Sequence, residues 1–246
     1  MARAASGPMA KVAIATAVLT TLGALVLAPS SARQADDAVR VAPIAAGLLA
    51  WGAGVLLCFA ASIRAFDRDR ADGWDALLAR HGARATSYLT ARIGGLALAT
   101  LLVVLPGTVV AGLAVALASR QGAVAREALD GALAASAYAI AFSLVVAPIA
   151  MATLGPRSRA SGYVWLLGVL VAPALVAEWT GQLVPDAWSE LVSVPGALDA
   201  LREALLGTID PARALRALVV LAAVALVAVG WAHAQLRFHE RGSAPS

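Results

Sequence analysis

Residues 64–92 read RAFDRDRADGWDALLARHGARATSYLTAR. The stretch carries six arginines (Arg64, Arg68, Arg70, Arg80, Arg84, Arg92) and four aspartates (Asp67, Asp69, Asp72, Asp75). It stands between two long apolar runs, 41–63 before it and about 88–117 after it. Runs of that length are what a helix needs to cross a bilayer, so the island between them reads as a polar connection at one membrane surface. Within it lies a segment with its own start and stop signals. Asp72 can cap a helix, with Asp75 three residues on as a weaker form of the capping box. Trp74, Leu77, Leu78 and His81 recur at i, i+3, i+4 and i+7 and share one helical face. Gly82 can close the helix in the left-handed conformation. The pattern predicts a short amphipathic helix across the cytoplasmic end of a membrane protein, offering Trp74, Leu77 and Leu78 to something outside the bilayer.

Composition agrees with the membrane reading. The chain has 246 residues, of which 61% are hydrophobic and 14% charged, with a mean hydropathy of +0.80. A soluble domain is about 45–50% apolar and about 25% charged. The net charge of +4 could suggest nucleic acid, but the basic residues are scattered through short connections between apolar runs. They read as topology signals and headgroup contacts, and no nucleic-acid partner is expected. The single cysteine, Cys58, lies in an apolar run. It excludes a disulfide framework and reads as a small buried hydrophobe.

Taken in order, the apolar runs predict six spans in a single transmembrane domain, 1–246, at about 10–28, 41–63, 88–117, 131–154, 162–179 and 213–232. The first, behind Arg3 and Lys11 and before Ala28-Pro29-Ser30-Ser31-Ala32, also resembles a signal peptide. Five further spans favour its retention. Gly52-Ala53-Gly54 either suit close helix contact or are apolar filler. Pro106-Gly107 marks a kink or an end in the third span. Residues 119–130 read as a polar loop. Trp51, Trp165, Trp179 and Trp231 lie in or near span ends, where an aromatic belt would sit, although Trp51 could lie deeper.

The region 180–213 is acidic (Asp186, Glu190, Asp199, Glu203, Asp210) and broken by Pro185, Pro195-Gly196 and Gly207. Leu198, Leu201 and Leu205 form an apolar stripe at helical spacing, which predicts one or two amphipathic helices on or dipping into the opposite membrane surface. Asp210-Pro211 is a good start for the last span, a capping residue followed by proline at the first helical position. With both termini in the cytoplasm, twelve of the 19 basic residues fall on the inner side and seven on the outer. That is the orientation favoured by the positive-inside rule.

The sequence lacks catalytic constellations. It has no G-x-x-x-x-G-K-[ST] and no H-E-x-x-H or C-x-x-C, and Lys11 is the only lysine. The chain is therefore not expected to cradle ATP itself. His81, His233 and His239 are separated and make poor metal or haem ligands. No acid sits in the middle of a span to mark an ion path, and Glu178 lies at a span end.

Asp72-Gly73-Trp74-Asp75-Ala76-Leu77-Leu78-Ala79, followed by Ala83-Arg84 and by Arg92 at the entry to a span, resembles the coupling region of ABC-2 type permeases. Leu191-Val192-Ser193-Val194-Pro195 and Leu206-Gly207-Thr208-Ile209-Asp210 are similar to that family's segment between spans five and six. The six-span count and the basic tail at Arg237 and Arg241 agree. His81-Gly82 stands where the family usually has a proline and a hydrophobic residue. The lead before the first span is shorter than the family's interfacial helix.

The resemblance implies an all-α polytopic membrane protein with a cytoplasmic coupling helix between spans two and three and amphipathic extracytoplasmic helices between spans five and six. It implies an exporter permease of the bacterial cytoplasmic membrane that is not itself an enzyme. Such a permease pairs with a second permease subunit, identical or divergent, and docks an ATP-binding cassette ATPase. ATP and magnesium belong to that partner, and this chain is expected to hold no cofactor or metal. Asp72, Gly73, Trp74, Asp75, Leu77, Leu78, Arg80 and Arg84 are the expected docking residues, with Trp74, Leu77 and Leu78 as the buried anchor. A haem-exporter-like permease of cytochrome maturation is a variant of the same reading. A membrane scaffold or assembly factor with no ATPase is the alternative.

Overall fold

The computed structural model describes residues 8–73, 80, 85–156, 159–179, 190–207 and 210–241. Among them every regular element is helical. In chain order these are α1 (Pro8–Ser31), α2 (Ala35–Leu48), a π-helical segment (Leu49–Gly54), α3 (Val55–Ser62), α4 (Ala65–Ala71), α5 (Ala85–Ala118), α6 (Gly122–Leu154) and α7 (Arg159–Trp179). A 3-10 turn (Glu190–Val192), α8 (Val194–Leu205) and α9 (Pro211–Arg241) complete the set. Five stretches are long and apolar enough to cross a membrane: Met9–Ser31, Asp36–Ser62, Thr86–Ala118, Gly122–Leu154 and Pro211–Leu236. Large apolar side chains such as Val26, Leu102, Leu133 and Leu226 stand exposed on them, as they would toward lipid. The chain is an all-helical membrane protein. The apolar part of α7, Ser161–Pro173, is shorter than those five.

The centre of the bundle is α6, 78% of whose most apolar window is buried against 17% for α1 and for α9. It packs on α2, α3, α5, α7, α8 and α9. A helix apolar on all sides is one that other helices surround. Hydrocarbon is as apolar as leucine, so close packing has to hold the helices together, and small residues permit it. A Cβ added at Gly112 of α5 would fall on the Cβ of Ala132 in α6, and one at Gly131 would fall on the Val39 carbonyl of α2.

Gly52 and Gly54 belong to the same class, which decides for close contact over filler. A Cβ on Gly54 would stand 3.0 Å from the Phe142 ring and 3.3 Å from the Thr100 methyl, and one on Gly52 3.2 Å from the Thr16 methyl. Both glycines lie in the π-helical segment, whose widened turn leaves α2 and α3 one continuous apolar span.

Two features depart from the sequence reading, and a third settles a choice it left open. The segment 119–130 is not a loop, because α6 begins at Gly122. Ala, Arg, Glu and Leu in that stretch are strong helix formers. Val124 and Ala128, one turn apart, bury against Ala28, Ala38 and Val115, so packing carries the helix beyond the apolar run. Trp51 takes the deeper of the two places the sequence allowed: its indole N–H donates to the Tyr138 hydroxyl at 2.9 Å, and its ring meets Phe142 edge-on at 5.3 Å. Leu205 is exposed, whereas Leu198 and Leu201 of the predicted stripe are buried with Val194, Ala197 and Ala200.

At Pro106 the helix runs on without ending. Nearby, the Thr108 hydroxyl donates to the Val104 carbonyl at 2.8 Å within the same helix. The start of α9 follows its sequence signal, and α8 has a side-chain cap of the same kind. Ser193 Oγ accepts the Gly196 N–H at 3.1 Å, and Asp210 Oδ1 accepts the Ala212 N–H at 3.1 Å.

Candidate coupling face

The charged island begins where α3 ends. Ile63 leaves the helix with ψ 123°, and Arg64 adopts φ +51°, a left-handed conformation that costs a residue with a Cβ about 1–2 kcal/mol. The turn is held by bonds to the end of α6. The Arg64 N–H donates to the Leu154 carbonyl at 3.0 Å, and the Phe66 N–H to the Gly155 carbonyl at 3.4 Å. Those are carbonyls a helix C-terminus would otherwise leave unpaired. Phe66 is buried, and a Cβ on Gly155 would stand 3.0 Å from its ring.

From there α4 is tied on two further sides. Arg68 Nη2 donates to the Ala61 carbonyl at 2.8 Å, capping α3. Arg92, on the second turn of α5, forks onto Asp69: Nε lies 3.1 Å from Oδ2 and Nη2 3.2 Å from Oδ1. Tyr88 OH donates to the same Asp69 Oδ2. Asp69 is largely buried and Arg92 about two-thirds buried. A forked pair in such a place is stronger and more directional than a surface bridge. The exposed Arg64–Asp67 pair, at 3.2 Å, is of the weaker kind. One short helix thus joins the ends of α3, α5 and α6.

Of the expected docking residues, Asp72 and Gly73 form the turn directly after α4, with Gly73 at φ +75° and the Asp72 N–H bonded to the Arg68 carbonyl at 2.9 Å. Arg80 is exposed. Trp74, Asp75, Leu77, Leu78 and Arg84 lie outside the described residues, as do His81 and Gly82. The clamp of Phe66, Asp69, Tyr88 and Arg92 was not anticipated. Its one legible sign is Phe66, a lone aromatic in RAFDRDR, which has no reason to sit among charges unless it is buried.

No protein-family model, curated protein or solved structure matches this chain. The site must therefore be read from its own geometry. Among the described residues no cluster of three His, Cys, Asp or Glu could hold a metal. The described site consists of backbone capping, one buried ring and one forked ion pair, an arrangement that holds a segment in place.

The other end of the bundle carries a second polar assembly. Arg202 of α8 pairs with Asp199 at 3.1 Å and stands over the Tyr138 ring at 5.9 Å, within cation–π reach. Tyr138 in turn accepts from Trp51 in the π-helical segment. A chain of three contacts therefore runs from α8 through α6 into the middle of the α2–α3 span.

Proposed function

We propose that the chain is the membrane-spanning permease subunit of an ABC transporter, an exporter of the bacterial cytoplasmic membrane, and that residues 72–84 dock its ATPase. In this reading α7 also crosses the membrane, as the fifth of six spans, both termini are cytoplasmic, and two such subunits pair. The observation that carries the proposal is the fixing of α4 to α3, α5 and α6 directly before the segment whose pattern resembles the ABC-2 coupling region. A partner that moves residues 72–84 pulls on α4, which cannot shift without its three attached helices. ATP can change the permease only through contacts that differ between two states, and a rigid joint is what turns a local pull into a movement of spans.

The test is a search of the neighbouring genes for a P-loop ATPase and co-purification with any found there, followed by transport and ATPase assays in proteoliposomes. Trp74→Ala and Leu78→Asp should reduce ATPase association at least about tenfold, as loss of a buried anchor does, while membrane insertion stays intact. Undiminished association in both variants would count against the docking segment. A purified assembly containing no ATPase would leave a membrane scaffold as the better reading.

A further inference from the structure

At the end of the bundle opposite α4 lies an open cleft of about 480 Å³. Its lining comes from three elements: Arg40, Pro43 and Ile44 of α2, Arg202 and Glu203 of α8 with Leu206 just beyond, and Arg213 of α9. Three arginines and one glutamate line it, and the Arg202 guanidinium is already paired with Asp199 beside the cleft. The other acids near these helix ends along the chain, Asp36, Asp37 and Asp210, lie outside the lining. The volume is in the range of small-molecule sites, about 300–1,000 Å³. Guanidinium recognises phosphate and carboxylate through its planar fork of donors.

The remaining wall is apolar, and it opens sideways. Ile44 belongs to a membrane span yet is 59% exposed, so the cleft continues into the surface that hydrocarbon chains would cover. Arg202 is held in place by Asp199 and the Tyr138 ring, which lowers the entropy lost when it binds.

We infer that this cleft binds an amphiphilic anion, a phosphate or carboxylate head seated among Arg40, Arg202 and Arg213 with its chain lying along Ile44 and Leu206. The inference needs neither an ATPase nor transport and stands apart from the proposed function. Arg202 links the occupied cleft to the Tyr138–Trp51 contact, so the bound anion also touches the polar chain that enters the α2–α3 span.

Native mass spectrometry of the full chain in a neutral sugar detergent tests it with three probes: phosphatidylglycerol, dodecyl phosphate and inorganic phosphate. The two amphiphiles should bind, and the double variant Arg40→Gln/Arg213→Gln should weaken both at least about tenfold, the loss of a charge-assisted hydrogen bond. Arg33→Gln, outside the lining, should leave binding unchanged. Ile44→Ser, a change on an exposed position with every arginine intact, should weaken dodecyl phosphate but not inorganic phosphate. Phosphatidylglycerol that dodecyl phosphate cannot displace identifies a bilayer lipid as the occupant, and ready displacement identifies a soluble amphiphile. Inorganic phosphate binding as tightly as dodecyl phosphate, equal binding of neutral dodecyl maltoside, or indifference to the arginine substitutions would each overturn the inference.

Discussion

A methyl group on Gly131 would fall on the carbonyl oxygen of Val39, and the reason lies one turn along α2. Pro43 has no N–H to offer the Val39 carbonyl, so that oxygen faces α6 rather than closing a turn of its own helix. Only a residue without a side chain lets α6 approach it. Gly131→Ala should therefore destabilise the purified protein by about 1–3 kcal/mol, seen as a lowered melting temperature in detergent. Gly94→Ala is the control, because a Cβ there meets nothing. It should be neutral or stabilise by up to about 1 kcal/mol through helix propensity. Equal melting temperatures for the two variants would refute this account of the α2–α6 contact. Tyr138→Phe belongs at the same scale. It leaves the Trp51 indole N–H without its acceptor and should cost about 1–3 kcal/mol in the same assay.

Among the elements, α4 owes its position to neighbours distant in sequence. A double-mutant cycle on Asp69→Asn and Arg92→Gln should return a coupling of about 1–3 kcal/mol in thermal stability, since the pair is forked and partly buried. A coupling near zero would reduce the clamp to a surface contact. Under the proposed function, either single variant reconstituted with an ATPase partner should lower transport per ATP hydrolysed more than it lowers hydrolysis itself.

This element also marks the limit of what the sequence discloses. The apolar runs and the Asp210-Pro211 start were legible because each is a local signal, a matter of length or of one side chain beside one N–H. The clamp on Asp69 depends on Tyr88 and Arg92, and the extension of α6 to Gly122 on Val115 of another helix. The π-helical segment fits against Phe142 and Thr100. No window of neighbouring residues contains those facts. The docking pattern itself was read from the sequence, and its anchor residues Trp74, Leu77 and Leu78 lie outside the described residues.

For the whole molecule, the single cysteine makes the topology directly measurable. Cys58 is fully buried, with its Sγ 3.2 Å from Thr100 Oγ1. It should be silent toward a membrane-impermeant maleimide in intact cells and react once the protein is unfolded in dodecyl sulfate. The native background can therefore carry single introduced cysteines. Arg80→Cys should label only after the membrane is permeabilised, and Arg120→Cys, between α5 and α6, should label in intact cells. The reverse pattern would turn the protein over and place residues 72–84 beyond the reach of any ATPase.

The seat of the Val39 oxygen on Gly131 also restricts how the spans can move past one another. Sliding α2 along α6 by about one turn, ~5.4 Å, would carry that oxygen from the glycine toward the methyl groups of Ala128 or Ala135, the side chains on the same face. Axial travel of a full turn is therefore opposed, and rocking about the contact is the easier motion. Val39 and Ser62 are about 35 Å apart along the helix axis, so a tilt of about 10° at this fulcrum swings the α4 end through about 6 Å.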